Sequence, residues 1–515
     1  MPTKTERLTY SDTGYFSKIV LDYLNADEKL KPFYAHEASI DGIKEAIKER
    51  QSFNTDRNLL VDRLRNAYAE TTITDKQQHN IDLLLDKNTF TITTAHQPNI
   101  FTGHLYFVYK ILHAVKLSEQ LQNEISGCNF VPVFYMGSED ADLDELGQVH
   151  LFGETFKWET AQKGAVGRMK VDKALIKLID EMSGQLLVLP GGASLVELIR
   201  DCYKEGITIE KATFKLINAL FGEFGLIVLL PDDAALKRAF APIIKKELGE
   251  NFSHKAVEET VNKFPKDYKI QAAGREINLF YLKDDIRERI VDITHEEELN
   301  EHPERFSPNV ILRPVFQEMI LPNVAFIGGG GELAYWLELK NVFEAAAVPF
   351  PVLLLRNSFM LVDENQQAML DKLNFSTSDI FRSEKDLLDE LVKRDSKVNL
   401  KLDAEKEAIE RSFEEAKLAA AKVDVSLFKH VDALKTKALN KIEVLEKKML
   451  KAERKKFVAQ QRQLQKIKAQ LFPGNGLQER IENIIPYYAK YGMSVIKKLY
   501  ENSLGIEQQF TVLEL

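Results

Sequence analysis

Short, continuous apolar segments recur along this chain, and each is followed by a polar or glycine-rich turn. Examples are residues 130–136 (FVPVFYM), 226–230 (LIVLL), 324–327 (VAFI) and 350–355 (FPVLLL). Runs of this length are typical of strands buried on both faces, and helical periodicity fills the intervals between them. Strands that alternate with helices pair in parallel. The sequence therefore predicts an α/β fold built on a largely parallel sheet.

Composition narrows the class of protein. A chain of 515 residues is long enough for two to four structural units, and 44% hydrophobic with 29% charged residues is typical of a soluble globular protein. No apolar run reaches the roughly 18 residues of a membrane span, and residues 1–16 lack the apolar stretch of a signal peptide. Two cysteines without a CxxC motif argue against a disulfide framework or a zinc cluster. We expect a cytoplasmic protein with no membrane partner and no structural metal.

Residues 89–110 (TFTITTAHQPNIFTGHLYFVYK) join a predicted strand, 89–95, to an amphipathic helix. The free N–H groups and the positive dipole end of such a helix suit a phosphate. His96 and His104, beside Gly103, could stabilise charge on a phosphoryl group. A turn whose histidines only cap the helix explains the segment equally well.

An acidic loop, residues 137–145 (GSEDADLDE), follows the strand predicted at 130–136. Open α/β sheets bind ligands at the carboxyl ends of their strands, where carboxylates can hold Mg²⁺, an ammonium group or ribose hydroxyls. An acidic helix N-terminus is the alternative. Further along, Arg313 in the segment 307–313 (SPNVILR) could hold a carboxylate or phosphate at two points, or form an ordinary salt bridge.

Four consecutive glycines, residues 328–331, lie between a predicted strand and a helix, where the backbone could approach a ligand closely. Glu332 at the helix start could receive an amine or a ribose, and a glycine hinge is the alternative. The segment 355–359 (LRNSF) places Arg356 and a hydroxyl where phosphates could be contacted. GxSxG and HExxH motifs are absent from the sequence, which argues against a serine hydrolase or a zinc peptidase.

Residues 395–472 differ from the rest because glycine and proline do not occur there. Apolar positions three and four residues apart predict an antiparallel coiled coil that turns near residues 424–426. Residues 395–424 carry 6 basic and 8 acidic side chains and residues 429–470 carry 13 and 4, so the net charges are −2 and +9. Pairing of the two helices would compensate part of this charge. The basic surface fits a solvated face or a nucleic-acid site, and the overall charge of −9 argues against nucleic acid as the main partner.

Five ordered motifs resemble the cysteine-ligase family of bacillithiol biosynthesis. The residues that carry the resemblance are Thr94, His96, Gln97, Thr102, Gly103, Tyr106 and Lys110, then Ser138, Glu139, Asp140 and Asp142, followed by the segments SPNVILRPVFQ, GGGGELAYW and LRNSF. The likeness covers essentially the whole chain, including the coiled coil and residues 471–480. The sequence departs from the family pattern at Ala141, where many members carry histidine, and at His104, where proline is common.

The resemblance implies a Rossmann-like core similar to nucleotidylyl transferases and class I aminoacyl-tRNA synthetases, with connective insertions and an α-helical coiled-coil domain that forms a homodimer. Residues 101–104 then resemble a degenerate HxGH signature. The predicted organisation is an N-terminal helical segment at 1–88, a core at 89–394 with insertions at 153–205 and 255–305, a coiled-coil arm at 395–472, and a C-terminal segment at 473–515 that returns to the core.

The resemblance also implies a reaction that joins the carboxyl group of L-cysteine to the amine of glucosaminyl-malate. Since an amide does not form from a carboxylate and an amine without activation, we hypothesise that ATP with Mg²⁺ forms an acyl-adenylate, with an acyl-phosphate as the alternative. The catalytic candidates are His104, His96 and Lys110. The candidates for nucleotide and substrate binding are Thr94, Gln97, Thr102, Gly103, Tyr106, Glu139, Asp140, Asp142, Asn309, Arg313, Gln317, Gly328, Gly329, Gly330, Gly331, Glu332, Trp336, Arg356 and Ser358.

Two other functions remain compatible with the sequence. The chain could be a tRNA-binding protein that uses its basic arm, in which case binding should depend on salt. It could also be a non-catalytic partner in the ligation step.

Overall fold

The computed structural model describes residues 5–272, 274–291 and 296–515 of the chain. Its strands are β1 Thr5–Leu8, β2 Thr89–His96, β3 Asn129–Met136, β4 Gln148–Leu151, β5 Glu154–Lys157, β6 Ile227–Leu229, β7 Leu279–Lys283, β8 Ile286–Arg289, β9 Phe306–Pro308, β10 Asn323–Gly328, β11 Val352–Leu355, β12 Ser358–Val362 and β13 Phe510–Glu514.

The helices up to β10 are α1 Tyr10–Thr13, α2 Lys18–Leu24, α3 Ile40–Ser52, α4 Arg57–Tyr68, α5 Asp75–Leu83, α6 Leu105–Glu124, α7 Leu143–Leu146, α8 Lys173–Leu186, α9 Gly192–Cys202, α10 Ile209–Phe221, α11 Ala234–Glu250, α12 Phe252–Lys263, α13 Glu296–Glu301 and α14 Arg313–Ile320. Those that follow are α15 Gly330–Trp336, α16 Lys340–Ala346, α17 Glu364–Leu373, α18 Glu384–Asp395, α19 Asp403–Ala421, α20 Leu427–Arg454, α21 Val458–Leu471, α22 Ile485–Tyr491 and α23 Met493–Asn502.

In the part of the chain that the structure describes, five strands form the central sheet in the order β11-β10-β2-β3-β6, and every neighbouring pair is parallel. Ranked by their position along the chain, the strands run 5-4-1-2-3, which is the Rossmann arrangement. The predicted parallel sheet is confirmed, and the strands predicted for this sheet agree with the observed ones to within two residues. The strand order reverses between β2 and β10. A crevice therefore opens at the carboxyl ends of these two strands.

Helices from distant parts of the sequence cover the sheet. Ile43 and Ile47 of α3 and Leu117 of α6 pack with Ile92 of β2 and Ile327 of β10 in one cluster of buried side chains. These residues lie on helices at spacings of three and four and on strands buried on both faces, as a doubly covered sheet requires. The core thus fixes the strand ends that line the crevice.

Antiparallel strands form smaller sheets beside the core. Residues 277–282 and 288–293 of the sequence predict the two strands of a hairpin around Asp284 and Asp285. The hairpin is present as β7 and β8, although β8 begins two residues earlier and ends at Arg289, and β9 extends it in the order β8-β7-β9. The last residue predicted for this hairpin, Ile293, lies outside the described residues. The insertion predicted at residues 153–205 contains the amphipathic helices α8 and α9 in addition to loops.

The chain divides into two compact units, Met1–Met360 with Gly476–Leu513, and Leu361–Asn475 with Glu514–Leu515. The second unit includes α17 and α18, although we placed the start of the arm at residue 395. Within this unit α18 packs on α20 and α21, and Asp389 forms an ion pair with Arg454. Periodicity alone does not reveal this packing, because it depends on residues more than sixty positions apart.

The predicted antiparallel pair of charged helices is present as α19 and α20, which turn between residues 421 and 427. Three ion pairs join the two helices, at 2.8 Å for Lys417–Asp432, 2.6 Å for Lys435–Glu414 and 2.7 Å for Lys406–Glu446. Of these three pairs, Lys435–Glu414 joins a base of the basic helix α20 to an acid of α19, as predicted, whereas in the other two the lysine lies on α19 and the acid on α20. The basic helix ends at residue 454 and a new helix begins at residue 458, so the arm is less continuous than its composition suggested.

Within the described residues, no helix combines the length and the apolar character needed to cross a bilayer.

Candidate functional site

A cavity of about 530 Å³ opens at the carboxyl ends of β2, β3 and β10, where the strand order reverses. Twelve of the residues predicted from the sequence line it: His96, Gln97, Tyr106, Lys110, Asp140, Asn309, Arg313, Gly329, Gly330, Gly331, Glu332 and Arg356. Motifs separated by more than 200 residues thus meet at one edge of the sheet.

His96 ends β2 and is held as a neutral imidazole. Its Nδ1 lies 3.3 Å from the carbonyl oxygen of Gln97, and its Nε2 lies 3.1 Å from the hydroxyl of Tyr106. Because a carbonyl can only accept, Nδ1 carries the proton and Nε2 accepts from Tyr106. Burial, reinforced by the charge of Lys110, lowers the pKa of His96 to about 3. His96 therefore offers no positive charge to a phosphate at neutral pH.

Lys110 of α6 and Glu332 of α15 form an ion pair across the point where the strand order reverses. Lys110 also donates to the carbonyl oxygen of Ala95 at 3.0 Å, and Glu332 accepts from the backbone N–H of Gly329 at 2.8 Å. Burial of Lys110, which is 2% exposed, lowers its pKa, and Glu332 opposes that shift. The pair links the strand ends on the two sides of the crevice and gives the glycine segment a fixed position.

Asp140, in the loop after β3, is a carboxylate that faces the cavity. It accepts from Nε2 of Gln97 at 3.2 Å and from the backbone N–H of Ala141 at 2.8 Å, and it lies 3.8 Å from Nη1 of Arg313. Burial alone would raise the pKa of Asp140, but Arg313 and Gln97 outweigh that effect and lower it. Asp140 is thus ionised at neutral pH and can hold an ammonium group or a cation.

Arg356, directly after β11, is held rigidly from several directions. Its Nη2 pairs with Glu479 at 2.7 Å, and its Nη1 donates at 3.0 Å both to the carbonyl oxygen of Asn357 and to the hydroxyl of Ser358. Burial would lower the pKa of Arg356, and the carboxylate of Glu479 raises it above the usual value. The guanidinium lies 5.2 Å from the ring centre of Tyr106 and lines the cavity as an oriented cation.

The turn between β2 and α6 differs from the prediction. The backbone N–H of Leu105 donates to the carbonyl oxygen of Glu482 at 2.7 Å, and Nδ1 of His104 donates to that of Ile481 at 3.1 Å. The helix start that we expected to receive a phosphate is thus covered by residues 481–483. Burial also lowers the pKa of His104, which favours its neutral form. The prediction of an open anion site at this helix start was wrong because the covering segment comes from the far end of the chain.

The same turn has an unusual backbone. Phe101, Thr102 and Gly103 have φ angles of 53°, 73° and 65°. At Gly103 a Cβ atom would lie 2.8 Å from the Cβ atom of Asn99, so this position requires glycine. Asn483 donates to the carbonyl oxygens of Phe101, at 2.9 Å, and of Gly103. These contacts hold the strained turn that begins α6.

Ten of the predicted residues do not line the cavity: Thr94, Thr102, Gly103, His104, Glu139, Asp142, Gln317, Gly328, Trp336 and Ser358. Glu139 is buried and pairs with Lys237, which also contacts Asp232 at 2.8 Å. Asp142 is exposed and caps α7. Neighbours in one acidic loop therefore have different surroundings, which their shared composition does not reveal.

Several of the remaining candidates contact the strands and helices that surround the cavity. Thr94 donates to the carbonyl oxygen of Ile327 at 2.8 Å and so joins β2 to β10. Trp336 stacks on Phe326 with ring centres 4.3 Å apart. Gln317 donates to Glu318 at 2.9 Å, and the carbonyl oxygen of Gly328 accepts from the backbone N–H of Arg356 at 2.8 Å. Their contacts are with protein groups that hold the strands and helices around the cavity.

The cavity lining also contains residues that the sequence did not single out: Ala95, Tyr135, Gly137, Arg275, Phe280, Arg287, Val310, Tyr335 and Arg480. Arg480 belongs to the segment 471–480 that carried part of the family resemblance, so a signal for it existed. Arg275 and Arg287 lie in the insertion predicted at 255–305, where no motif or spacing marks them.

The lining is strongly basic. Its cations are Lys110, Arg275, Arg287, Arg313, Arg356 and Arg480, and its acids are Asp140 and Glu332. A concave surface with this excess of positive charge favours anionic ligands. Among the described residues, no group of three or more His, Cys, Asp or Glu side chains is placed to hold a metal ion.

Comparison with known proteins gives matches along the whole chain. Residues 3–357 match the family model described as "Bacillithiol biosynthesis BshC, N-terminal Rossmann-like domain", and residues 359–515 match "Bacillithiol biosynthesis BshC, C-terminal coiled-coil domain". Curated relatives named "Putative cysteine ligase BshC" include those of Flavobacterium johnsoniae, 38% identical over 99% of this chain and 100% of the relative, and Christiangramia forsetii, 38% identical over 100% and 99%.

A solved structure described as a putative arginyl tRNA synthetase from Campylobacter jejuni aligns with 84% of this chain and 98% of that one. The identity is 10% and the TM-score is 0.25.

Proposed function

This chain belongs to the BshC family of bacillithiol biosynthesis, and on that premise we propose that it is a ligase that joins the carboxyl group of L-cysteine to the amine of glucosaminyl-malate with ATP as the energy source. The name of its relatives supports a cysteine ligase. The observation that carries the proposal is the basic cavity at the reversal of strand order, which combines oriented guanidinium groups with the ionised Asp140.

Activation of the carboxyl group is the step that needs ATP. The carboxylate of cysteine attacks the α-phosphorus, a carbon–oxygen–phosphorus link forms, and pyrophosphate leaves. The amine of the second substrate then attacks the carbonyl carbon, so that an amide bond forms while AMP and a proton are released. The substrates bring several negative charges to one place. The cationic lining offsets these charges.

Asp140 and Gln97 are suited to hold a positively charged amino group. A carboxylate oxygen and an amide oxygen both accept from an ammonium group, and Arg313 keeps Asp140 ionised. We assign this position to an amino group of a substrate. His96, the last residue of β2, is neutral and hydrogen-bonded to Tyr106, so it contributes no charge to the cavity.

The dimensions of the cavity fit a nucleotide. Its volume of about 530 Å³ lies within the range of roughly 300–1,000 Å³ usual for ligand pockets. Gly329, Gly330 and Gly331 line it without side chains, so a phosphate or a ribose could approach the backbone there. Mg²⁺ in such sites keeps several water ligands and is held largely by the phosphate oxygens of the nucleotide.

Pyrophosphate exchange tests the proposal. The purified chain, with ATP, Mg²⁺ and labelled pyrophosphate, should form labelled ATP only when L-cysteine is added, and addition of glucosaminyl-malate should yield bacillithiol by mass spectrometry. Release of ADP without exchange would replace the adenylate with an acyl-phosphate. Absence of the amide product with every nucleotide would refute the ligase assignment.

We propose the α19–α20 pair as the surface of a homodimer. Leu418, Leu434 and Leu445 are exposed apolar residues on these two helices, and an apolar surface on a charged hairpin is typical of a protein–protein contact. One of the ion pairs between the two helices, Lys435–Glu414, uses a basic side chain of α20. The chain as a whole carries a net charge of −9, so we do not propose a nucleic-acid site there.

A further inference from the structure

Three guanidinium groups of the cavity lack a carboxylate partner in the described part of the chain. Lys110, Arg313 and Arg356 lie within 4 Å of Glu332, Asp140 and Glu479, respectively. Arg275, Arg287 and Arg480 form no ion pair with the described residues, and all three line the cavity. Positive charge therefore remains available for a ligand after the contacts within the protein are counted.

Arg287 of β8 differs from the other two because it is half-buried, whereas Arg275 and Arg480 are exposed. Its Nε is shielded from solvent and has no hydrogen-bond partner among the described residues. A buried donor that is left unsatisfied lowers the stability of the folded protein. The guanidinium carbon lies 3.7 Å from the ring centre of Phe280 on β7, so the hairpin already fixes the plane of the group. An oriented, unsatisfied donor in a cavity is suited to an anionic oxygen that the protein does not itself supply.

The electrostatic neighbours of Arg287 show where that oxygen would lie. The group interacts with Asp140, which favours its charge, and with Arg313, which opposes it, while burial has the largest effect and lowers its pKa. Arg287 thus belongs to the same side of the cavity as Asp140. A negatively charged acceptor beside Arg287 and a positively charged donor beside Asp140 could both belong to one ligand, namely an amine that also carries an acid group.

We propose that Arg287 binds a carboxylate of the amine substrate, the malate part of glucosaminyl-malate, and thereby selects an acidic amine over a neutral one. This inference rests on the proposed function for the identity of the substrate. A planar guanidinium can meet a carboxylate with two parallel hydrogen bonds, which a lysine cannot do. The carboxyl group of cysteine is the other possible source of such an anion. It has to reach the nucleotide in order to react, whereas a carboxylate held on the hairpin is kept out of the reaction.

Calorimetric titration of L-malate into the full chain tests this directly, without turnover. A charge-assisted hydrogen bond contributes about 1.5–3 kcal/mol, so R287Q should bind L-malate about 10- to 100-fold more weakly than the unaltered protein. R287K should keep the charge and recover only part of the affinity. R289Q is the matched control, because Arg289 lies on the same strand, is exposed and does not line the cavity; it should bind as the unaltered protein does.

The other ligands decide between the sources of the anion. The assignment is overturned if the unaltered protein does not bind L-malate, or if R287Q binds it as well as R289Q does. It is also overturned if R287Q weakens L-cysteine or inorganic phosphate while L-malate is unaffected. Equal melting temperatures of R287Q and R289Q exclude a folding defect. If malate binding depends on Arg287 but no amide forms, the proposed reaction fails and the malate position stands.

Discussion

Ion pairs in the two units of the molecule have opposite surroundings. In the first unit, Arg50 of α3 and Glu318 of α14 meet at 2.8 Å with exposed side-chain fractions of 1% and 0%. In the second unit, Lys435 and Glu414 meet at 2.6 Å between α19 and α20, with 25% and 56% exposed. Both distances are ordinary for an ion pair, so the distance alone does not separate them.

The two pairs differ in whether water could hydrate the remaining charge if one partner were removed. A buried charge that loses its partner has no solvent to replace it. An exposed charge is screened and regains hydration. The first unit contains a second pair of the buried kind, Arg356–Glu479, beside the crevice, whereas the pairs between α19 and α20 in the second unit are partly exposed. We expect the same kind of substitution to have large effects in the first unit and small ones in the second.

The largest effect should come from R50M. Arg50 also donates to the carbonyl oxygens of Glu318, at 2.7 Å, and Pro349, at 3.2 Å, so its loss leaves a buried carboxylate and unpaired carbonyl groups. We expect the free energy of unfolding to fall by about 3–5 kcal/mol. The measurement is guanidinium unfolding followed by tryptophan fluorescence, because the two tryptophans, Trp158 and Trp336, are both buried in the first unit.

The matched substitution in the arm is K435M, which removes one partner of an exposed pair. It should leave the unfolding midpoint unchanged. If R50M destabilises the protein no more than K435M does, burial is not what separates the two classes of ion pair.

D140N should have the next largest effect, on catalysis and not on stability. Removal of the charge that would hold the amino group of the second substrate should lower the formation of bacillithiol from glucosaminyl-malate about 100-fold, since truncation of one partner of a hydrogen-bonded charge pair in a site costs roughly 2–5 kcal/mol. D142N is the control, because Asp142 belongs to the same loop but is exposed outside the cavity. Formation of bacillithiol at the normal rate in D140N would remove Asp140 from the site.

The sequence predicted the parallel sheet because its signals are local. A buried strand such as β3 is a run of eight neighbouring residues, and α19 repeats its apolar positions every three or four residues. Ten of the twelve candidates that reach the cavity lie at or after the carboxyl ends of parallel strands, which meet at one edge of the sheet. The other two, Asn309 and Arg313, follow β9 of the separate antiparallel sheet.

The rest of the site depends on contacts between residues far apart in the chain. Ile481 and Glu482 cover the start of α6, and nothing near residue 104 indicates this. Glu139 and Asp140 are adjacent, yet one is buried against Lys237 and the other lines the cavity. Composition marks both as acidic, and only the packing of α11 distinguishes them.

The third prediction concerns the dependence of the free energy of unfolding on pH. His113, fully buried on α6, accepts from the backbone N–H of Asn357 at 3.1 Å and donates to the carbonyl oxygen of Gly505 at 2.6 Å. Burial lowers the pKa of His113 to about 4, against about 6.5 in an unfolded chain. Between these values the unfolded state binds more protons, so the free energy of unfolding falls as the pH drops, by about 2 kcal/mol at pH 5 from this residue.

H113Q should lack this contribution, so its stability should change less between pH 7 and pH 5 than that of the unaltered protein. The comparison between variants is needed because other groups titrate in the same range. Glu210, for example, has a pKa raised by burial to about 7 and acts in the opposite sense. H430Q, at an exposed histidine of α20, is the control from the second unit. An equal pH dependence in H113Q and H430Q would contradict the prediction.

The smallest effect on folding should come from the arm, at L434Q combined with L445Q. These leucines are 42% and 44% exposed, and surface substitutions of this kind usually change the free energy of unfolding by no more than about 0.5 kcal/mol.

No side chain of α19 is fully buried along its described length. A hairpin that buries so little within itself has apolar surface left for a second copy of the chain, so sedimentation equilibrium should show a dimer for the unaltered protein and a monomer for the double variant. K437Q, at an exposed charged position of α20, should remain dimeric. A monomeric unaltered protein, or a dimer that survives the loss of both leucines, would show that the exposed apolar residues of the arm do not serve association.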